Sequence, residues 1–426
     1  MNNNFQIPDS ALKRVVVIGG GFAGITFVKK LPGNEFQVVL FDKHNYHTFQ
    51  PLLYQVATGG LEPDSIAHPL RNIFHGRKNF FFRLAEIQEI NTDKNVIMAK
   101  QGTLPYDMLV LATGSETNFY GMNDIEKIAM PLKNIPDALN LRSYLLQNFE
   151  QAVMEKKTAD EHLNIIIVGG GPTGVELAGA LAEFKRHVVP NDYPEINPEN
   201  IQIWMIEASD RILGSFSKNA SQDAFQSLSK MGVQIKLKTF LNKYYDNMAY
   251  FSDQSEIRSS CIIWSAGVKG NYPLGIPDAS IHKSGRLYVD EFNRLKGFQN
   301  IFVIGDAAIM QSDARFLQGH PMVAQPAIQQ AKCLAGNLAN VMNNKPMIPF
   351  RYSDLGSMAT IGRNKAVAEF GFAKFSGAFA WIIWLTVHLM ALVGFRNRII
   401  VLINWIWNYF SYDRAIRLII RPFKRA

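Results

Sequence analysis

Cysteine is scarce in this chain of 426 residues. Cys261 and Cys333 are the two cysteines, and their spacing fits neither a disulfide framework nor a cysteine-based metal site. The N-terminus also lacks the apolar segment that a secretory signal contains. These absences favour a reducing compartment and predict that no metal is bound.

Acidic residues are few towards the C-terminus, so positive charge is unevenly distributed. The net charge is +8, and residues 396–426 alone contain seven Lys or Arg and one Asp. A basic patch concentrated in one tail is not typical of a nucleic-acid surface, and we expect no nucleic-acid partner. A basic tail beside apolar helices instead indicates an anionic membrane surface.

Two strand–turn–helix units lie about 150 residues apart, at 14–31 (RVVVIGGGFAGITFVKKL) and 163–184 (LNIIIVGGGPTGVELAGALAEF). Each has a β-branched run, then a G-x-G-x-x-G turn, then apolar residues at helical spacing. Such turns place backbone amides against a pyrophosphate at a helix N-terminus. The sequence therefore predicts an α/β fold with two Rossmann-like dinucleotide-binding domains.

The first turn has Gly19, Gly21 and Gly24 in the three glycine positions. Asp42 lies 18 residues beyond Gly24, at the end of the next predicted strand. A carboxylate at that place can bind a ribose diol.

The second turn has Gly169, Gly171 and Gly174 in the same positions. Its acidic partner is predicted to be Glu207, which ends the run IQIWMIE. A carboxylate there repels a 2′-phosphate, so NADH is favoured over NADPH.

Three further strands end in turns of small residues. Two carry the pairs Thr113–Gly114 and Ala266–Gly267, and the third, FVIGDAA, carries Asp306. Asp306 can accept hydrogen bonds from a ribityl chain, although a Gly-Asp after a strand is more often an ordinary turn. Two nucleotide sites in one chain indicate a flavin and a nicotinamide.

At this point the chain resembles the type II, non-proton-pumping NADH:quinone oxidoreductases, of the two-dinucleotide-binding-domain flavoprotein superfamily. The resemblance rests on NYHTFQPLLYQVATG, GGGPTGVELAGAL, AQPAIQQA, GSMATIGRNKAVA and AWIIWLTVHLMALVGFRNR. It implies FAD as cofactor, NADH as substrate and a membrane quinone, ubiquinone or menaquinone, as acceptor. It also implies a homodimer.

The glycine patterns and the resemblance together predict the cofactor-binding residues. For FAD these are Gly19, Gly20, Gly21, Phe22, Ala23, Gly24, Asp42, Lys43, Gln50, Thr113, Gly114, Asp306, Gln325 and Pro326. In the second unit they are Gly169, Gly171, Pro172, Thr173, Gly174, Glu207, Ala266 and Gly267.

The segment 45–60 has no thiol beside the expected flavin, so electrons are expected to pass directly to an acceptor. An apolar rim would suit a hydrophobic quinone. Ordinary packing between strand and helix remains the alternative for each rim residue. The predicted rim is Phe49, Pro51, Leu52, Leu53 and Tyr54. The predicted quinone-binding residues are Gln325, Gln329, Phe49 and Leu53.

Two residues are predicted to be catalytic, Glu176 and Gln325. Glu176 is expected in the first turn of the helix that follows the second glycine turn. Its negative charge there either interacts favourably with the helix dipole, or the side chain relays protons or positions substrate. The resemblance implies the second role. It also implies that Gln325 lies near the isoalloxazine and hydrogen-bonds a quinone carbonyl. The alternative is that Gln325 and Gln329 are ordinary polar residues at the edge of a helix.

The segments 375–395 and 399–412 contain no Asp, Glu, Lys or Arg, and they hold four of the six tryptophans. A transmembrane hairpin, a buried helix pair and a pair of interfacial helices are all compatible with this composition. We favour interfacial helices, with tryptophans at headgroup depth. His388 is expected to pack and not to bind metal.

The predicted domains are FAD-binding (1–120 and 270–373), NADH-binding (121–269) and membrane-binding (374–426). A monotopic protein at the cytoplasmic face of the inner membrane is expected. The rivals are a sulfide:quinone oxidoreductase, disfavoured by the missing thiols, a soluble reductase of a protein electron carrier, and a non-enzymatic flavin- and NADH-binding protein.

Overall fold

Two parallel five-stranded sheets form the framework of the chain in the computed structural model, which describes residues 5–155, 159–411, 417–419 and 423. Each sheet belongs to one of two units. Unit 1 comprises Met1–His47, His68–Glu116 and Val268–Asp354. Unit 2 comprises Thr48–Ala67, Thr117–Gly267 and Leu355–Ala426.

The strands of the unit 1 sheet are nearly continuous apolar runs, as expected when helices cover both faces of a parallel sheet. In spatial order they are Ile301–Val303, Met108–Leu111, Lys13–Ile18, Phe36–Asp42 and Phe80–Leu84. Two smaller sheets consist of Ile87–Asn91, Val96–Ala99 and Gly102–Pro105, and of Leu287–Val289 and Ala308–Met310. The helices are Phe22–Lys30, Leu70–Ile73 and Ala324–Met342, with 3-10 turns at Asp278–Ser280, Gly305–Ala307 and Ala314–Phe316.

Unit 2 repeats the parallel sheet around the second glycine turn. In spatial order its strands are Met130–Pro131, Cys261–Trp264, Asn164–Val168, Gln202–Ile206 and Val233–Lys236. Two antiparallel sheets consist of Leu241–Tyr245, Met248–Phe251 and Glu256–Arg258, and of Ser357–Gly362, Lys365–Phe370 and Ala373–Ser376. Short strands at Tyr46–Thr48, Ala67–Pro69, Ser115–Thr117 and Val268–Gly270 lie where the sequence ranges of the units meet.

The helices of unit 2 include two towards the C-terminus. Among the described residues they are Leu53–Ala57, Asn123–Glu126, Ile135–Met154, Ala159–Leu163, Pro172–His187, Val189–Asp192, Lys218–Lys230, Gly377–Ala391 and Phe395–Ser411. Its 3-10 turns are Gln50–Leu52, Pro63–Ser65 and Pro198–Asn200. Pro172–His187 packs on the strand Ser357–Gly362. Asn134 caps Ile135–Met154 with a reciprocal capping box.

Two parallel sheets following two glycine turns agree with the predicted α/β fold. The three predicted domains stay a prediction, because the two units are defined by internal packing, whereas the domains were predicted from the ligands they bind. Unit 2 includes residues 121–267 of the predicted NADH-binding range, the C-terminal helices and also the segments 48–67 and 355–373.

Candidate functional site

The first glycine turn joins Lys13–Ile18 to Phe22–Lys30 in unit 1. Gly19 has φ +106°, and a Cβ there would collide with the backbone of Ala112. A Cβ at Gly24 would collide with the carbonyl oxygen of Gly19. A Cβ at Gly21, in contrast, would meet nothing within 4 Å. The turn is therefore tight on its protein side and open beside the helix N-terminus, where a phosphate binds.

Asp42 ends the strand Phe36–Asp42, as predicted. The backbone N–H of Gly20 donates to its Oδ2 at 2.6 Å, and that of His44 donates to its Oδ1 at 2.7 Å. Burial raises the pKa of Asp42, and these two hydrogen bonds partly offset the rise. The neighbouring Lys43 is exposed. The carboxylate is thus held against the glycine turn.

Asp306 lies in the turn Gly305–Ala307 of unit 1, and the hydroxyl of Ser115 donates to its Oδ2 at 2.6 Å. The N–H of Gly305 donates to Oε1 of the buried Gln330 at 2.7 Å. The hydroxyl of Thr113 donates to the carbonyl of Asn271.

Gln330 was not predicted from the sequence, although a signal for it was present. It shares the buried stripe of Ala324–Met342 with Ala327, Leu334 and Leu338. A glutamine in such a stripe needs an internal partner, which the N–H of Gly305 supplies.

The glutamines of Ala324–Met342 differ in how their amides are used. The hydroxyl of Tyr352 donates to Oε1 of Gln325 at 3.3 Å. Gln329 donates to the carbonyl of Ser353 at 2.8 Å and accepts from the N–H of that residue at 3.0 Å. Gln329 therefore links the helix to the segment that follows it, which agrees with the alternative of an ordinary polar residue at a helix edge. Pro326 is the third residue of the helix, and the quinone role of both glutamines stays a prediction.

The second glycine turn, in unit 2, repeats the first. Gly169 has φ +110°, and a Cβ there would lie 2.8 Å from the backbone N of Ala266. A Cβ at Gly174 would collide with the carbonyl oxygen of Gly169, whereas one at Gly171 would meet nothing within 4 Å. The next two residues, Pro172 and Thr173, are exposed. A Cβ at Gly267 would collide with the hydroxyl oxygen of Tyr120.

Glu207 follows the strand Gln202–Ile206. The N–H of Gly170 donates to its Oε2 at 2.6 Å, and that of Ser209 donates to its Oε1 at 2.8 Å. The longer connection between the helix Pro172–His187 and this strand, compared with that of the first unit, therefore leaves the carboxylate at the turn. Glu207 has the same contacts in unit 2 that Asp42 has in unit 1.

Glu176 is the chemically unusual residue of unit 2. The helix Pro172–His187 begins at Pro172, so Glu176 lies in its second turn. The expected place in the first turn is therefore wrong. The side chain is 8 % exposed. Its Oε1 accepts from the indole N–H of Trp384 at 3.2 Å and from the N–H of Thr360 at 3.4 Å. Burial raises its pKa to about 8, against the effect of both hydrogen bonds.

A carboxyl with such a pKa exchanges a proton near neutral pH. Its distance from the helix N-terminus removes the dipole explanation, because that effect fades beyond the first turn.

The segment 48–67 belongs to unit 2 and is mostly buried. Phe49 and Leu53 are each 3 % exposed, so a quinone that contacts them has to enter the protein interior. Gln50 is exposed. Gln325 and Gln329 lie in unit 1. The four predicted quinone residues therefore divide between the units, and their common role stays a prediction.

The C-terminal helices are attached to the segment 48–67 through polar side chains. Asn397 donates to the carbonyls of Asp64, Ser65 and Ala67 at 2.9–3.1 Å. Trp405 donates to Oε1 of Gln55 at 2.8 Å. In addition, the side chain of Asn408 donates to the carbonyl of Gly60 at 2.9 Å.

One tryptophan, Trp384, lies in the interior and not at the expected headgroup depth: it is 1 % exposed, and its indole donates to Glu176. Trp405 is half-buried and donates to Gln55. The packing role expected for His388 is confirmed, since its ring stacks on that of Trp384 at 4.0 Å and burial lowers its pKa to about 4.

Within the described part of the chain, no helix combines the length and the apolar character needed to cross a bilayer. The basic tail lies largely outside the described residues, although Arg417 pairs with Asp192 at 2.7 Å. The described residues also contain no group of three or more His, Cys, Asp or Glu placed to hold a metal.

Comparison with known proteins defines the class first. The pyridine nucleotide-disulphide oxidoreductase family model matches residues 13–331, and the NDH2 C-terminal domain model matches residues 355–412. A solved structure of NDH2 from Plasmodium falciparum in complex with NADH has the same fold, with a TM-score of 0.88 over 96 % of this chain and 100 % of that one, at 21 % identity.

Two relatives then give the family. A type II NADH:quinone oxidoreductase of Mycobacterium tuberculosis is 34 % identical over 94 % of this chain and 89 % of its own length. A mitochondrial internal alternative NAD(P)H-ubiquinone oxidoreductase of Arabidopsis thaliana is 31 % identical over 93 % of this chain and 86 % of its own length. The chain belongs to the type II NADH:quinone oxidoreductase family.

Proposed function

We propose that the protein oxidises NADH and reduces a membrane quinone to quinol, with FAD bound in unit 1. The observation that carries the proposal is the repeated glycine turn, which builds two nucleotide sites in a member of this family. Each turn is open at Gly21 or Gly171, and the N–H of Gly20 or Gly170 donates to a carboxylate. Together these features fit two dinucleotides with ribose diols.

The residues of unit 1 fit FAD. The open space at Gly21 accommodates a pyrophosphate, Asp42 faces an adenosine ribose, and Asp306 suits a ribityl chain. When bound, FAD accepts a hydride from NADH and passes two electrons to the quinone. NADH is placed on the second turn, where Glu207 disfavours NADPH.

Glu176 is the residue to which we assign proton transfer. Quinone reduction consumes protons, and a buried carboxyl with a pKa of about 8 is protonated in much of the protein at pH 7. We assign quinone binding to Gln325 of unit 1, whose Oε1 accepts from the hydroxyl of Tyr352 at 3.3 Å. The buried Phe49 and Leu53 of unit 2 are likewise assigned to the quinone, as apolar contacts.

A lipid surface is proposed as the second partner. The C-terminal helices expose large apolar side chains, among them Phe395 (77 %), Trp407 (61 %) and Phe410 (78 %). An apolar face flanked by arginines is typical of helices lying in a membrane interface. We place the protein at the cytoplasmic face of the inner membrane as a monotopic homodimer; the dimer rests on family analogy alone.

Turnover of the purified protein tests the enzymatic proposal. NADH absorbance is followed with and without a short-chain quinone, flavin absorbance is recorded in the same cuvette, and NADPH serves as the control. Rapid quinone-dependent oxidation of NADH is expected. Flavin that NADH reduces and quinone does not reoxidise would refute the quinone assignment and favour a protein acceptor or a non-enzymatic role.

Vesicle flotation tests the lipid surface. The double variant Trp407→Ser, Phe410→Ser should bind anionic vesicles more weakly than wild type, because about 25 cal/mol is lost for each Å² of apolar area no longer buried. The matched control is Tyr245→Ser, which removes an exposed aromatic ring from the antiparallel sheet of unit 2. Equal binding of all three proteins would contradict the proposal.

A further inference from the structure

A cavity of about 120 Å³, partly open to solvent, lies within unit 2 beside the buried Glu176. Its aromatic lining includes Trp381, Trp384 and Trp405, while other parts of the lining are polar. A cavity of this size has room for several water molecules, and water occupies such spaces where polar groups can bind it. We call it the Glu176 cavity.

One face of the helix Pro172–His187 forms a row along the cavity. Glu176, Ala180, Glu183 and His187 line it at helical spacings of four, three and four residues. At about 1.5 Å per residue, Glu183 is about 10 Å further along the helix than Glu176. Ala180, with a small side chain, lies between them and lines the same cavity.

Both ends of the row suit proton transfer. Glu176 is buried, whereas Glu183 and His187 are half-buried. Oε1 of Glu183 accepts from the backbone N–H of Arg363, which fixes the carboxyl in the lining. The row therefore runs from the less exposed to the more exposed part of one helix face.

Other titratable or charged side chains also face the cavity. They are Tyr54, Arg363 and Tyr409. The guanidinium of Arg363 donates to the carbonyl of Asn408 at 2.5 Å and lies over the Tyr409 ring. Tyrosine and arginine side chains ordinarily keep their protons near neutral pH, so Glu183 and His187 are the groups suited to relay one.

The reaction requires such a relay. NADH supplies a hydride, which is one proton and two electrons, and a quinone needs two electrons and two protons to become quinol. One proton per turnover must therefore come from water, in the balance NADH + H⁺ + quinone → NAD⁺ + quinol. A buried Glu176 that gives up its proton has to be reprotonated from solvent.

We propose that the Glu176 cavity is the proton-uptake route, in which Glu183, His187 and intervening water molecules reprotonate Glu176 from solvent. This inference rests on the proposed function, because it assigns the source of the proton that quinone reduction consumes. Glu183 and His187 are relay residues and contact neither the quinone nor the flavin in this assignment.

Glu183→Gln tests the route in the full-length holoprotein. The amide oxygen still accepts from Arg363, but it carries no exchangeable acid. Enzyme reduced by NADH is mixed with a short-chain quinone, and the return of flavin absorbance is timed in H₂O and D₂O. We expect about tenfold slower reoxidation, less than the roughly 100-fold or more that a direct proton donor contributes, a larger solvent isotope effect, and recovery with added formate.

Arg186→Gln is the matched control, because Arg186 is exposed on the same helix and does not line the cavity. His187→Asn is the second relay variant and keeps the test decisive if Glu183→Gln fails to fold. Relay variants that match Arg186→Gln in rate, isotope effect and response to formate would overturn the route.

Infrared spectroscopy gives a readout that needs no turnover. The protonated carboxyl band of Glu176 is identified by its loss in Glu176→Gln, and its exchange is followed after transfer to D₂O. Slower exchange in the relay variants than in Arg186→Gln is expected, and equal exchange would refute the route. Wild-type protein that reduces no quinone would refute the proposed function instead, so the two failures are distinguishable.

Discussion

The helices that follow the two glycine turns share a beginning and differ in everything after it. Phe22–Lys30 is nine residues long and has no acidic residue, and its inner face is packed with Ile25, Phe27 and Val28. Pro172–His187 is sixteen residues long and carries Glu176 and Glu183. The first helix holds a nucleotide, whereas the second also places acid–base groups along its length.

The glycine turns account for nucleotide binding in both units, whereas the acid–base groups depend on the helix that follows the second turn. Both turns have a glycine with positive φ, a close helix–strand contact and a carboxylate that accepts from the N–H of the second turn residue, Gly20 or Gly170. These features recur because a pyrophosphate and a ribose impose them. Acid–base chemistry needs more, namely a longer helix and a covering layer that removes its carboxyl from water.

The largest expected effect comes from breaking one turn at a time. Gly24→Val should leave the protein without flavin, and Gly174→Val should weaken NADH binding about a hundredfold, because forced backbone shifts cost about 1–3 kcal/mol or more. Flavin content is read from absorbance and NADH affinity from titration calorimetry. A folded Gly174→Val protein that also loses flavin would contradict the separation of the two sites.

Glu176→Gln should lower quinone-dependent turnover about a hundredfold. The role we propose for Glu176 requires its protonated form, and burial raises its pKa to about 8, so wild-type turnover should fall as pH rises through about 8. The rate is measured from pH 6 to pH 10 at saturating NADH. The control Glu195→Gln, an exposed carboxyl of the same unit, should keep the wild-type profile.

A smaller effect is expected at the second carboxylate. Glu207→Gln removes the charge that repels a 2′-phosphate while keeping an acceptor for the N–H of Gly170. The ratio of kcat/KM for NADPH to that for NADH should rise about tenfold. Asp210→Asn, an exposed neighbour, serves as the control; an unchanged ratio in Glu207→Gln would show that another residue sets the preference.

The smallest effect is a shift of the pH profile. Trp384→Phe removes the indole N–H that lowers the pKa of Glu176 and keeps an aromatic ring in the core. The fall in turnover should move to higher pH, by roughly half a unit. Trp381→Phe changes a cavity tryptophan for which no hydrogen bond to Glu176 is found, and an equal shift there would exclude the indole as the cause.

Local patterns predicted much of the fold and both nucleotide sites. Strands, glycine turns and the carboxylates Asp42 and Glu207 follow one another within short stretches of sequence, so their geometry is set by near neighbours. The segments 133–156 and 322–343 are likewise helical from their sequence alone, and the structure has the helices Ile135–Met154 and Ala324–Met342 there.

Contacts between distant segments could not be predicted in this way. The burial of Glu176 depends on Thr360 and Trp384, which are 184 and 208 residues away in sequence. From the sequence, interaction with the helix dipole therefore remained an alternative to the catalytic role that the resemblance implied for Glu176. The position of Trp384 could not be predicted for the same reason. Its apolar neighbours in sequence indicated a membrane interface, although its indole contacts the carboxyl of Glu176.

The polar attachment of Phe395–Ser411 has a practical consequence for preparing the protein in water. Its Asn397, Trp405 and Asn408 hold the segment 48–67 through side-chain hydrogen bonds. Deleting the helix to improve solubility would strip that segment of its supports and damage the interior. A detergent-free version has to keep the helix and replace its exposed residues, such as Trp407 and Phe410, with polar ones.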